Sequence, residues 1–504
     1  MRNINKQYFI KIIAILQLSL AVVLGNTAQA AQGNFFIEKD AGEVLMQKRA
    51  KAFVDAFNSN DAEKAASFTK ENWSGAPDAK TIDSIAGLMS ALYAEGGSIT
   101  EYVVKIVNSQ AISIISKREK NGNWDSFQFR IDPDDDHKMK LIFIAEATAP
   151  VTLPTTAIDD PRTEKWLKNR IAQLASEQPF YGAISITKKG ETIFETVAGS
   201  ESLKPYRRNT IDTKFKIASG GKMFTSVAIG KLVMAGKLSY SDLLVEYLPE
   251  LKDIESVKNV TVAHLLSHTS GIGDYWDDAF EKEWYKIKNH SDYLPYVIKN
   301  IEANELGDYA YSNSNFILLG LIIEKVSGQD YYGFVQKAIL DPLKMTNTSY
   351  PIFKDAPAPG FAVGLEANSV NGKTNNFDPV VARRLGSQAS AAGGVYTTVG
   401  DMQKFGQALL SNTLVSPEIF KEMTTPRNNR SGVEGSGYGF GLIMDNTDGY
   451  LSYGHGGMGP GSEFRFSVYP KDEIIVVVVS NFSTIATHEL NKAIDGMIRT
   501  QYKK

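Results

Sequence analysis

The stretch Phe215-Lys-Ile-Ala-Ser219-Gly-Gly-Lys222-Met-Phe-Thr225, continuing into an apolar run over 227–238, decides how this chain is read. If the run is helical, Ser219 lies at its N-terminus and Lys222 one turn later on the same face, within reach of the hydroxyl. A serine hydroxyl is inert near neutral pH unless a neighbouring base takes its proton. A lysine does so only when burial or nearby charge lowers its pKa. The positive end of a helix dipole also favours the negative charge that develops on the oxygen. The pair therefore reads as a nucleophile and its base.

Ser-x-x-Lys is a common spacing, and two further copies, Ser67-Phe-Thr-Lys70 and Ser185-Ile-Thr-Lys188, are read as coincidence. Ser185 falls in an alternating strand pattern, where residues three apart face opposite ways. Ser67 lies far upstream with no companion motif.

A chain of 504 residues with 43% hydrophobic content can bury a large core in two or three domains. A net charge of -3, with no run of Lys and Arg, carries no electrostatic footprint for nucleic acid. The absence of cysteine excludes disulfides, thiol nucleophiles, Cys-ligated metal and a lipid-modified N-terminal Cys. Residues 1–30 read as a signal peptide: Arg2, Lys6 and Lys11 precede an apolar stretch over 12–24, and Ala28-Gln-Ala30 is a small-residue cleavage site. The expected mature chain starts near Ala31, is periplasmic or secreted, and keeps no membrane span, since the apolar stretch is short and no second one follows.

Residues 31–148 read as a small α+β domain. A helical pattern over 42–58 and shorter helical stretches from 62 and over 82–93 precede strand patterns at 102–107, 111–117, 124–131 and 138–146. This order, with Phe53-Val-Asp-Ala-Phe57 and Asp61, resembles the NTF2-like family, which implies a curved antiparallel sheet wrapped round a long helix as a cone with a pocket. Asp132-Pro-Asp-Asp-Asp136 reads as a solvated turn, because the spacing and glycine of a calcium loop are missing. Prolines 150, 154 and 161 mark 149–163 as a stiff linker.

The second domain, 164–504, opens with a helix and a hairpin of strands at 182–188 and 191–198. Helical anchors follow at 243–248, 262–267, 316–326 and 401–410. Strands return at 450–453, 463–469 and 474–480 before a last helix from 488. Early and late strands flanking a helical insertion imply one antiparallel sheet built from both ends, with the site between sheet and helices.

Two further motifs stand in order behind Ser219-Gly-Gly-Lys222: Tyr311-Ser-Asn313, and His455-Gly-Gly457. Together the three resemble the serine β-lactamase and penicillin-binding protein superfamily, on its class C-like branch, from about residue 164 onward. The resemblance implies a β-lactamase/transpeptidase-like α+β fold. It implies Ser219 as nucleophile, Lys222 and Tyr311 sharing the proton, and Asn313 holding Lys222 and a substrate amide. The backbone N–H groups of Ser219 and Met458 would form the oxyanion hole, with His455, Gly456 and Gly457 lining the substrate. Val260-Thr-Val-Ala-His-Leu-Leu-Ser-His-Thr-Ser-Gly271, Asp341-Pro-Leu-Lys-Met345 and Ala392-Gly-Gly-Val-Tyr396 also look like the family and are read as structural, with His264 and His268 packing and capping.

The reading is an exported serine hydrolase that cleaves small-molecule ester, amide or D-peptide bonds through an acyl-enzyme, with no cofactor and no metal. Its alternatives are a β-lactamase, a D-alanyl carboxypeptidase, or a cell-wall binding protein without turnover. The oligomeric state stays open. Relatives carry Lys-Thr or Lys-Ser where this chain has His455-Gly456. A hydroxyl is missing and the cation is replaced by a histidine expected to be mostly neutral, which predicts better turnover of short esters or uncharged amides than of cephalosporins.

Overall fold

The computed structural model describes residues 41–108, 111–147, 153–177, 179–353, 357–367, 379–381, 389–428, 433–484 and 486–501. The signal peptide expected at 1–30 and the start near Ala31 lie outside the described residues, as do 149–152 of the expected linker. The chain parts into two compact units, one up to Thr155 that also takes in Asp495–Thr500 and one over Thr156–Ile494 with the last residues from Gln501. Each is described by itself.

In the first unit, helices Ala41–Asn58, Ala62–Asn72 and Ala79–Gly96 precede four strands, Ile99–Asn108, Ala111–Arg118, Trp124–Asp132 and Lys138–Ala147. The strands pair antiparallel with their sequence neighbours. Apolar residues at helical spacing on the first helix meet the alternating inward face of the sheet. Phe53 lies 4.9 Å from Phe129 and 5.1 Å from Phe127, ring centre to ring centre. Asp61 caps the second helix by accepting from the N–H groups of Glu63 and Lys64. Three of the four carboxylates of the acidic turn pair with cations: Asp132 with Lys140, Asp135 with Lys138 and Asp136 with Arg49.

The second unit opens with the helix Pro161–Glu177. Its first turn takes in 161–163, residues expected in the linker, because proline fits the first helical position, where no N–H is needed. A seven-stranded antiparallel sheet follows the order Gly437–Tyr438, Ile443–Asp445, Ser452–Gly459, Ser462–Tyr469, Ile474–Ser480, Gly182–Lys188, Glu191–Ala198. The late strand Ile474–Ser480 pairs directly with the early strand Gly182–Lys188, so both ends of the unit build one sheet. Ile475, Val477, Phe464 and Phe466 share one face of it. The helix Val399–Leu410 packs there, close enough that a β-carbon on Gly406 would stand 2.8 Å from Ile475. On the opposite face the helix Ala486–Thr500 brings His488 Nδ1 to 3.4 Å from Arg465.

One expected strand is corrected. The strand placed at 450–453 runs Ser452–Gly459 and carries the third motif. Its four glycines weaken strand propensity, but pairing with Ser462–Tyr469 overrides that. The two spare Ser-x-x-Lys copies stay apart, as expected: Lys188 pairs with Asp159 while Ser185 accepts from Gln403, and Ser67 turns to Glu71.

Candidate active site

Ser219 does not sit inside an α-helix. It lies in a single 3-10 turn, Ala218–Gly221, that feeds the helix Lys222–Met234. Ala218 holds the left-handed φ of 44°, uncommon for a residue with a β-carbon, and its carbonyl accepts from Gly394 N–H. The helix is apolar on all sides and buried, with Met223, Phe224, Val227, Ala228 and Ile229 fully enclosed. The nucleophile, itself partly exposed, is therefore anchored at the start of a firmly packed helix.

Three glycines let backbone close round this turn. A β-carbon on Gly457 would lie 2.1 Å from Ile217 O, and one on Gly393 would lie 2.3 Å from Ala218 O. One on Gly221 would be 3.0 Å from Gly393 Cα. The third-motif strand and the 389–395 loop can thus press on Ser219 from two sides.

Lys222 is completely buried. Its Nζ lies 3.2 Å from Ser219 Oγ, 2.7 Å from Asn313 Oδ1 and 2.6 Å from the carbonyl of Ala392. Burial, partly opposed by Asp274, brings its pKa down to about 7. Tyr311 hydrogen-bonds Ser219, and the Lys222 amine stands 5.0 Å from the centre of its ring. Tyr311 is partly buried, and the desolvation of its phenol pushes its pKa up, well above the ordinary phenol value. Desolvation outweighs the hydrogen bond with Ser219, so the phenol stays protonated and the Lys222 amine is the group that titrates near neutrality. If Lys222 must be neutral to receive the Ser219 proton, kcat/KM should rise with pH, half-complete near 7, and stay level above it. A pH profile of ester hydrolysis from 5 to 9 checks this, and a flat profile across 7 would contradict it.

Asn313 begins the helix Asn313–Ser327, just past Tyr311. Its backbone N–H donates to Asp274 Oδ2 at 3.0 Å and its side-chain amide to the same oxygen at 2.8 Å. The other carboxylate oxygen accepts from Trp276 N–H at 3.0 Å. Since an amide offers its N–H₂ and its oxygen on opposite sides, the Asp274 contact turns Asn313 Oδ1 toward Lys222. Asp274 was missed as a site residue. It is an isolated loop aspartate, which carries no signal in the sequence of what it faces.

His264 and His268 cap their short helix, as expected. His264 closes a capping box with Thr261, and His268 ends the helix at φ 58°. His268 also packs its ring 4.2 Å from that of Tyr311 and accepts from Ser312 N–H at 3.2 Å. The second motif is thereby fastened to the end of Val262–Ser267.

The third motif differs from its expected use. His455 is buried, and its Nε2 lies 3.0 Å from the hydroxyl of Tyr438 while its Nδ1 meets the Gly456 carbonyl. A carbonyl only accepts, so Nδ1 carries the proton and Nε2 accepts from Tyr438. Burial first, then Lys222 and Arg465, push its pKa down to about 3. Both ring nitrogens are thus engaged within the protein and the ring is neutral. His455 ties Tyr438 to the strand, and Tyr438 in turn packs 4.7 Å from His268. Tyr438, on a two-residue strand, is a second residue the sequence reading missed. Gly456 faces the other side of the sheet, where a β-carbon would lie 2.7 Å from Arg465 Nη1. A Gly456→Thr change would therefore disturb Arg465 as well as add a hydroxyl. Strand pairing with Ile443–Asp445 ends at Gly454, so among the described residues the edge from His455 to Gly459 has no strand beside it on that side. The side chain of Met458, on this edge, is exposed.

No group of three or more metal-ligating side chains occurs among the described residues. No described helix is long and apolar enough to cross a membrane.

The Beta-lactamase family profile matches residues 167–494. A relative from Bacillus subtilis (strain 168), described as a penicillin-binding protein, PbpX, is 29% identical over 323 residues, covering 63% of this chain and 74% of its own length. The solved penicillin binding protein from Bacillus halodurans superposes with a TM-score of 0.58 at 28% identity, covering 66% of this chain and 98% of that one. A D-stereospecific amidohydrolase from Streptomyces sp. gives 0.55 at 24% identity over 66% and 98%, a likeness that speaks for the fold alone. The profile spans most of the chain, and the chain belongs to the Beta-lactamase family, a serine-hydrolase family of penicillin-binding-protein type.

Proposed function

We propose that this chain is an exported hydrolase that opens ester or amide bonds through an acyl-enzyme on Ser219. The observation that carries the reading is the buried Lys222 amine, held by Ser219, Asn313 and Ala392 with its pKa brought down to about 7. A neutral amine 3.2 Å from the hydroxyl can take its proton as the oxygen attacks a carbonyl carbon. Tyr311, protonated and bonded to Ser219, passes a proton to the leaving group, and Lys222 resupplies it. Backbone N–H groups of Ser219 and Met458 would hold the oxyanion at the open edge of the strand. Asn313 would meet a substrate amide. Export rests on the leader-like composition of residues 1–30. The order of three helices and a four-stranded meander in the first unit supports an NTF2-like accessory domain.

The neutral, internally bonded His455 supports a substrate without a carboxylate to anchor. Short acyl esters and uncharged amides fit better than cephalosporins. A fluorophosphonate should label Ser219 and leave a Ser219→Ala variant untouched. Nitrophenyl butyrate should then be hydrolysed with a higher kcat/KM than nitrocefin. Absence of label would favour a binding protein without turnover, and faster nitrocefin hydrolysis would favour a β-lactamase.

A further inference from the structure

Lys222 has two acceptors besides Ser219, and both are referenced to one helix. Asn313 opens the helix Asn313–Ser327, and Glu324 lies on its last turns. Glu324 Oε1 stands 3.1 Å from His290 Nδ1, and His290 Nε2 accepts from the backbone N–H of Ala391 at 2.9 Å. The Ala391 carbonyl accepts from Thr225 Oγ1 at 2.6 Å, one turn along from Lys222 on its own helix. The next carbonyl, that of Ala392, is the one that Lys222 touches at 2.6 Å.

His290 is buried, with Tyr331 and Tyr332 packed 5.0 Å and 5.5 Å from its ring centre. Gly320 makes room for it. A β-carbon there would stand 2.7 Å from Ala391 Cβ and 3.0 Å from His290 Cδ2. Because Ala391 N–H donates to Nε2, the ring proton sits on Nδ1, toward Glu324. The carboxylate therefore fixes both the tautomer and the direction in which the acceptor nitrogen points, as a partner on the far nitrogen does for other histidines that must hold one orientation.

We propose that His290, oriented by Glu324, is a positioning residue that sets the Ala391–Ala392 segment and so aims the Ala392 carbonyl at Lys222. This rests on the reading of Lys222 as the base of Ser219. With the carbonyl in place the amine has fixed acceptors on two sides, and its remaining direction is toward the serine hydroxyl. Without it the amine can swing, and displacements of about 1 Å at a reacting group lower rates roughly 10²-fold.

The test compares three substitutions of His290 in the full chain. Glutamine places an amide oxygen where Nε2 was and can still accept from Ala391. Asparagine reaches only as far as Nδ1 and can serve Glu324 alone. Leucine serves neither. For H290L and H290N, fluorophosphonate labelling of Ser219 and kcat for nitrophenyl butyrate should fall together, roughly 10²-fold, with KM little changed. H290Q should recover most of that loss. Thermal melts on the same samples supply the folded fraction for correction, and should H290L not fold, the H290Q and H290N pair decides. Equal rates for H290Q and H290N, or a wild-type rate in H290L, would overturn the proposal. Wild-type protein that takes no label at Ser219 would overturn the underlying reading of the site, and this inference with it.

Discussion

Lys222→Met should lower kcat/KM for an ester roughly 10⁴-fold, and Tyr311→Phe by a large part of that amount, but the double variant should be scarcely slower than Lys222→Met. The reason is geometric. Both groups touch the same hydroxyl, one at 3.2 Å and the other through a hydrogen bond of its own. Proton removal and proton delivery use them in sequence, so loss of either stops the same path. Methionine keeps the length and apolar bulk of the lysine stem, which limits the damage to packing. The measurement is a four-way kinetic cycle on purified protein, with fluorophosphonate labelling as a second readout. Multiplicative losses would mean that the two act independently and that one of them serves only packing.

The next largest effect is expected at Asp274. Its carboxylate serves three N–H donors, two from Asn313 and one from Trp276. Asp274→Asn replaces one acceptor oxygen by a donor, so one of those N–H groups must face another. The Asn313 amide is then free to turn its oxygen away from Lys222. We expect kcat/KM to drop roughly 10²-fold. Leaving a buried donor unpaired should also lower stability by about 1–3 kcal/mol. Urea unfolding and ester kinetics measure the two separately. A variant as stable and as fast as the parent would show that Asn313 is aimed by something else.

What the sequence revealed and what it hid follow one rule. Ser219 with Lys222, and Tyr311 with Asn313, sit within one turn of chain, so local spacing already places them together. The strand 182–188 and the valine-rich strand 474–480 are legible because strands buried on both faces leave dense apolar runs. Asp274, Tyr438, His290 and the Ala392 carbonyl each come singly from loops or short elements, and no periodicity announces them. The third-motif strand continues past 453 through glycines that make it look like a turn. His455 was legible as a departure from the Lys-Thr pattern, yet only the fold tells that its ring is turned to Tyr438 and not free for a ligand. The direction of the Tyr311 shift was equally hidden, because it depends on whether burial or charge wins at one oxygen.

The burial of Lys222 has a thermodynamic signature of its own. In the unfolded chain its amine has the ordinary pKa of 10.5, and folding brings it to about 7. Between those values the unfolded chain binds more protons than the folded one at this position, so folding expels a proton into the solvent. This contribution makes the protein more stable as pH rises from about 7 toward 10.5, and below about 7 the penalty of enclosing the ammonium is fully present. The same enclosure that makes the amine a base at neutral pH therefore makes this helix start a standing stability liability, relieved by alkali and removed when the charge is deleted.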